Sequence, residues 1–404
     1  MFKPLATLLF AASALGAFAQ GIPVNTSPLV IAAPELAHLN FSNSTGGLLV
    51  ADGLETFTVI RANQENPEAA DGRGWTYQHH PDLAAWHGRL YVGWNSCERD
   101  EDVWPSRELI SSSASGRVWS KPVEMFPQGI STPLRMFFFL APNGRMLVIA
   151  GLRMNHEKLL EKNKGPLIVR ELRADHSFGE VFTLRPPAVA ITNQPPPFEA
   201  AADPKFAEAC RQLLADKIYL HQQDYDVLLD EPDRLKWFNL TNWNANEYEL
   251  KAAEDFGKAS CFFTRKDGAL VSVSKRRWVT ISHDDGQTWT QPTRPDSLIT
   301  GMGKVWGQRL SNGRYALVYN PDAARRWPLA LLTSDDGVTF SHPVALHGEL
   351  IGKRYEGSGK SPGASYHRGL SRWNSDGSWK DKALWMVYSL NKEEIRVIRV
   401  PVQK

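Results

Sequence analysis

Five stretches of the chain alternate large apolar residues with small or polar ones in one shared grammar: HGRLYVGWNS (87–96), NGRMLVIAGL (143–152), DGALVSVSKR (267–276), NGRYALVYNP (312–321) and KALWMVYSLN (382–391). Four of them open on a polar residue followed by glycine, which suits a tight turn, and all five continue with the period-two spacing of a strand. Each is expected to be the second strand of a hairpin. One stretch has the other period. DPKFAEACRQLLADKIYLHQ (203–222) spaces Phe206, Ala209, Leu213 and Leu214 as a helix does, directly after the proline run QPPPFEAAADP. A small inserted helix is expected there, within a chain that is otherwise all-β.

A second motif lies between the strands. SHDDGQTW (282–289) and TSDDGVTF (333–340) share Ser or Thr, then Asp, Gly, Thr and a terminal aromatic, and their glycines, Gly286 and Gly337, stand at one period of the chain. SSASGRVW (112–119) is a degenerate third copy with Ala114 in the Asp place. The carboxylate caps backbone N–H groups, the glycine takes positive φ and the aromatic packs into the sheet. These look like Asp boxes, the turn signature of sialidase-like β-propellers. Turn chemistry accounts for every residue in them, so they are read as structural. Blades of about 50 residues imply a seven-bladed β-propeller, with a six-bladed one as the alternative. No linker divides the chain, so residues 21–404 are expected to form a single β-propeller catalytic domain.

The ends and the composition narrow the setting. Residues 1–20 run from Lys3 through an apolar stretch to Ala17-Phe18-Ala19, the form of a signal peptide. The apolar run is too short for a membrane span, so the protein is expected to be secreted and extracellular. Sequons at Asn25, Asn40, Asn43 and Asn239 fit a glycoprotein. Net charge is +2 with 22% charged residues, which gives no basic face for nucleic acid. Cys97, Cys210 and Cys261 allow at most one disulfide and show no metal spacing. A monomer is expected.

Candidate chemistry gathers just ahead of strands. In YQHHPDLAAWHGRLYVGWN (77–95), His79 and His80 precede the apolar run at Leu83–Ala85. Neighbouring side chains of an extended strand point oppositely, so one imidazole is expected to face the channel and the other to support it. Cations recur in the same setting: Arg107, Arg135, Arg276 and Arg277, Arg325 and Arg326, then Lys360, Tyr366, His367 and Arg368. Arginine forks match carboxylates bidentately, and a neutral imidazole suits proton removal near neutral pH. An anionic sugar fits such a pocket. Trp86, Trp94, Trp243, Trp306 and Trp327 are candidates for stacking on sugar faces.

The blocks YQHHPDLAAWHGRLYVGWN with EDVWPSRELISSS, GQRLSNGRYALVYNPDAARRWPLALLTSDDGVTF, and KSPGASYHRGL with LWMVYSLNKEEIRVIRVP together resemble the rhamnosyl-glucuronate lyases of the sialidase-like superfamily. The resemblance runs from about residue 75 to the C-terminus. It implies a secreted seven-bladed propeller acting on terminal L-rhamnose-α-1,4-D-glucuronate caps of arabinogalactan-protein and gum arabic. The implied reaction is β-elimination, which releases L-rhamnose and leaves a Δ4,5-unsaturated uronate. The resemblance puts the base at His80 or His79, with the lean towards His80. Arg107, Arg135 and Arg326 are then expected to bind the carboxylate, and Lys360, His367, Arg277 and Tyr366 to line the sugar pocket. No cofactor is required; the acidic loop 98–102 offers oxygen ligands for a structural Ca²⁺, although no spacing identifies a site.

Two rival functions stay open. An α-L-rhamnosidase would need a carboxylate pair, for which Glu98, Asp100, Glu101 and Asp102 are candidates. A non-catalytic carbohydrate-binding propeller would tolerate loss of both histidines. A sialidase fits less well: Tyr248 with Glu247 is a candidate pair, yet no N-terminal Arg-Ile-Pro motif accompanies it.

Overall fold

A computed structural model describes residues 28–101, 103, 105–127, 135–151, 166–186, 194–223, 237–238, 256–300 and 303–402. The leader at 1–20, Asn25, Asn239, Asp102, Trp243 and the Glu247–Tyr248 pair lie outside the described residues.

Each of the five repeated segments supplies the second strand of a sheet. Blade 1 runs Tyr77–Trp86, Arg89–Cys97, Ser106–Ser113, Val123–Glu124; blade 2 runs Met136–Leu140, Met146–Gly151, Leu167–Leu172, Phe182–Arg185. Blade 3 has Cys261–Thr264, Leu270–Ser274 and Trp278–Ser282. Blade 4 has Trp306–Arg309, Tyr315–Tyr319, Leu329–Ser334 and Thr339–His347. Blade 5 has Ala364–Gly369, Leu384–Leu390 and Glu394–Val400, completed by Glu55–Arg61 from the start of the chain. The second strands of blades 2, 4 and 5 are buried along their whole length. Blades pack on both faces, so their central strands are apolar on both.

Among the described residues the strands thus make a five-bladed propeller, where seven or six blades were expected. Length was spent elsewhere. Val30–Ile31 and Leu49–Val50 add as parallel edge strands to blade 4, and Glu55–Arg61 closes blade 5. The helical segment takes further length as two helices, α1 (Pro204–Ala215) and α2 (Lys217–Gln222). Asp203 caps α1, and Asp216 between them caps α2 through the Tyr219 N–H. The α2 helix joins blades 2 and 3. The Tyr219 hydroxyl donates to the Phe138 carbonyl, and the Gln222 side chain accepts from the Phe262 N–H.

All three Asp-box-like turns follow a third strand, and their bonding corrects the sequence alignment. In the first, the Ser282 hydroxyl accepts from Gly286 N–H and Asp284 accepts from Thr288. In the second, Ser334 and Asp336 play these parts, not Thr333 and Asp335. In the degenerate copy Ser113 accepts from Gly116, and Ser115 replaces the missing carboxylate by accepting from Arg117 and Val118.

Candidate active site

Two β-bulges on neighbouring inner strands build the site. In blade 1 His79 pairs with Asn95, but the next pair is Asp82 with Gly93, so His80 and Pro81 stand against Trp94 alone. In blade 5 Ser365 pairs with Ser389 and Arg368 with Val387, leaving Tyr366 and His367 against one residue. The extra residue forces positive φ: 50° at His80 and 52° at Tyr366. A non-glycine residue held there costs about 1–3 kcal/mol, a strain that the surrounding structure must offset. The bulge also breaks the alternation expected for His79 and His80. Both imidazoles meet Tyr366 edge-on, at centroid distances of 4.7 and 4.4 Å, and lie 4.2 Å from each other.

The two imidazoles have different partners. His80 Nδ1 accepts from Arg135 Nε at 3.2 Å, and its Nε2 lies 3.2 Å from Glu101 Oε1. Glu101 also accepts from Lys392 Nζ at 2.6 Å. Neither ring nitrogen of the fully buried His79 has a partner among the described residues. Arg135 and Arg326 hold their guanidinium carbons 5.6 and 5.2 Å from the Tyr366 ring centre, and Arg326 Nη1 is buried without a protein partner among the described residues.

Electrostatics follow from burial among cations. Burial first, then His80 and Lys392, hold the His79 pKa well below 6.5; burial, Arg135 and Lys392 do the same to His80. Both are neutral at neutral pH. Burial works to raise the Tyr366 phenol, but Lys275, Arg135 and Arg326 outweigh it and bring its pKa below the usual tyrosine value. Burial works to raise the Glu101 carboxyl, but with His79 uncharged at neutral pH the charge and hydrogen bond of Lys392 outweigh it there, and Glu101 stays ionised. A second polar layer lies beneath. Asp82 accepts from the Phe138 N–H at 3.0 Å and lies 3.8 Å from Arg368, which also bonds Gln223. Burial still raises the Asp82 pKa.

The structure therefore brings together His79, His80, Arg135, Arg326 and Tyr366. His367 is next to them, its Nε2 bonded to the Val318 carbonyl at 2.9 Å and its pKa lowered by burial to about 3. Three other expected ligands are engaged elsewhere. Arg107 pairs with Asp71 at 2.7 Å and Glu124 at 2.9 Å, over Trp75. Lys360 donates to Thr76 and lies 3.4 Å from Glu393 in a buried pair. Arg277 faces Asp296 at 3.7 Å. Trp86, Trp94 and Trp306, expected as stacking faces, are buried in the core, and the Trp94 indole donates to Gln78. Cys97, Cys210 and Cys261 are buried free thiols, so the allowed disulfide is not formed. In the acidic loop, Asp100 accepts from Ser358 and from the Gly359 and Glu101 N–H groups.

Sequence reasoning missed Lys392 and the part of Asp82. Lys392 sits in the turn Asn391–Lys392, where both residues take positive φ; a polar pair ending the repeated strand segment was the available signal.

Comparison with known proteins follows the same lines. Residues 31–235 match the family described as BT_1020-like, N-terminal beta propeller, and residues 226–366 match the BNR repeat-like domain. No curated protein matches the chain. Among solved structures, the chain is similar to a protein named "Sialidase", with 30% identity and a TM-score of 0.78 over 93% of this chain and 35% of that one. The chain thus spans about a third of that protein's length. It is also similar to a protein of unknown function from Dyadobacter fermentans DSM 18053, at 12% identity and TM-score 0.51, over 87% of this chain and 100% of that one. That second likeness concerns the fold alone.

Proposed function

From the premise that the chain belongs to the BT_1020-like N-terminal β-propeller family, with a sialidase-like fold suited to glycan processing, we propose that it is a secreted polysaccharide lyase. Its substrate on this reading is the terminal L-rhamnose-α-1,4-D-glucuronate of arabinogalactan-protein glycans, an anionic plant glycan. The observation that carries the reading is a buried, neutral imidazole without a partner among the described residues, His79, set against a phenol that two guanidiniums flank.

The chemistry balances with these groups. Arg135 and Arg326 neutralise the glucuronate carboxylate, which makes the C5 proton acidic. His79 removes that proton. The electron pair forms the C4–C5 double bond as the C4–O bond to rhamnose breaks, and the Tyr366 phenol gives its proton to the departing oxygen. His80 positions the pair, since Arg135 and Glu101 occupy its nitrogens. This moves the base from His80, the sequence lean, to His79.

The lowered Tyr366 pKa favours one second reading. A phenol that ionises easily is a nucleophile, and with Glu101 nearby the same site would suit hydrolysis of an anionic glycoside. Incubation with gum arabic, following free rhamnose and ultraviolet absorbance, separates the two. Rhamnose with rising absorbance is expected for the lyase, and rhamnose alone indicates hydrolysis. His79→Ala is expected to lower kcat by about 10²–10⁴, and its retention of full activity overturns the proposal. A carbohydrate-binding propeller would release nothing.

A further inference from the structure

A cleft of about 490 Å³ opens beside the His–Tyr cluster, lined by Gly303, Arg325, Arg326, Leu350, Ile351 and Ser361 among others. Its size falls within the roughly 300–1,000 Å³ of small-molecule sites. We propose that this cleft binds the glycan chain on the far side of the cleaved linkage, as an acidic carbohydrate subsite; the assignment rests on the glycan-cleaving reading above.

Three observations converge on it. Arg326 lines the cleft and also holds its guanidinium carbon 5.2 Å from the Tyr366 ring centre, so one side chain is shared by the cleft and the cluster. Arg325, its neighbour, turns the other way and holds its guanidinium carbon 4.7 Å from the Phe41 ring centre. Phe41 is 64% exposed yet fixed in place, stacked on Trp327 at 5.4 Å. The Trp327 indole N–H in turn lies 2.8 Å from the Ser44 carbonyl and 2.5 Å from that of Gly348, which ties the loops around the cleft into one frame.

The surface chemistry names the occupant. Leu350 and Ile351 are exposed large apolar residues in the cleft wall, and the exposed Phe41 adjoins that wall through Arg325, whose guanidinium lies over its ring. Apolar walls beside guanidiniums suit a ligand with apolar faces, hydroxyl edges and negative charge. A uronate-bearing sugar chain has all three. Arg325 already faces Asp322 at 3.6 Å, but an apolar peptide would leave the buried Arg326 Nη1, which has no protein partner among the described residues, without an anionic one.

The test compares two substrates with Phe41→Ala: native gum arabic and the isolated terminal rhamnosyl-glucuronate disaccharide. The variant is expected to raise KM for the polymer by about tenfold, with kcat unchanged and the disaccharide kinetics untouched. Ala324→Trp, which fills the cleft from an exposed position, should act likewise. Equal effects on both substrates, or none on the polymer, overturn the inference. Affinity electrophoresis in gels containing gum arabic reads the cleft without chemistry. Retardation of wild type and His79→Ala, lost in Phe41→Ala, supports the subsite even where no bond is cleaved. Unchanged migration of wild type overturns it.

Discussion

His79, His80 and His367 are buried imidazoles that the fold keeps neutral, and neutrality has a cost that pH reveals. In the unfolded chain each takes a proton near 6.5, while burial holds the folded pKa well below that, at about 3 for His367. The unfolded state therefore binds more protons as pH falls, so stability is complete above about 6.5 and declines below it. By pH 5 His367 alone costs about 2 kcal/mol, and His79 and His80 add in the same direction. His367→Gln keeps a donor for the Val318 carbonyl and removes one titration. Its thermal midpoint should fall less steeply from pH 7 to 5 than that of wild type, and parallel declines would argue against a neutral His367. The same lowered pKa keeps His79 able to accept a proton below pH 6.5, so the acid limb of kcat/KM should lie there. Reading HHP as a candidate base needed only the sequence. Telling the two histidines apart needed Arg135 and Glu101, whose bonds to His80 arise from distant parts of the chain.

The strands show why some features were legible and others were not. Five segments shared one grammar, and each became the second strand of a blade, because a buried central strand and its Gly turn are local features. The bulges at His80 and Tyr366 are properties of a pairing register, which depends on Asn95, Gly93, Ser389 and Val387. No window of sequence carries that. A similar dependence fixes Arg326. Its backbone bridges Gly363, where φ is 99° and an added Cβ would stand 2.3 Å from the Arg326 carbonyl oxygen. Gly363→Ala must push the Arg326 backbone away, and it is expected to raise KM by about tenfold or more, for the approximately 1.4 kcal/mol or more of lost positioning. Steady-state kinetics with the disaccharide check this, and an unchanged KM would show that the bridge does not position Arg326.

Blade counting failed because it divided length by a period and assumed that every residue belongs to a blade. The first described residues instead act as clips. Val30–Ile31 and Leu49–Val50 cover the edge of blade 4, and Glu55–Arg61 pairs with Glu394–Val400 to shut blade 5. A ring closed by both ends of the described chain leaves fewer sheet edges open, and it joins the blade that carries Tyr366 to the blade that carries His79. If the closing strand secures the whole ring, a change on it should be costly although it lies on the outer edge of blade 5, away from the inner strand that carries Tyr366. Ile60 is 4% exposed, opposite Ile395, whereas Leu49 is 79% exposed. Ile60→Ala should cost about 2–5 kcal/mol and Leu49→Ala no more than about 0.5 kcal/mol, read as shifts in the urea midpoint. Activity below the transition should survive both, since neither touches the imidazoles. Equal shifts would mean that closure by this strand contributes nothing beyond an ordinary surface contact. A large Ile60 shift with a coincident loss of activity and tertiary signal across the urea transition would show that the histidines and Tyr366 are held together only as long as the ring is closed.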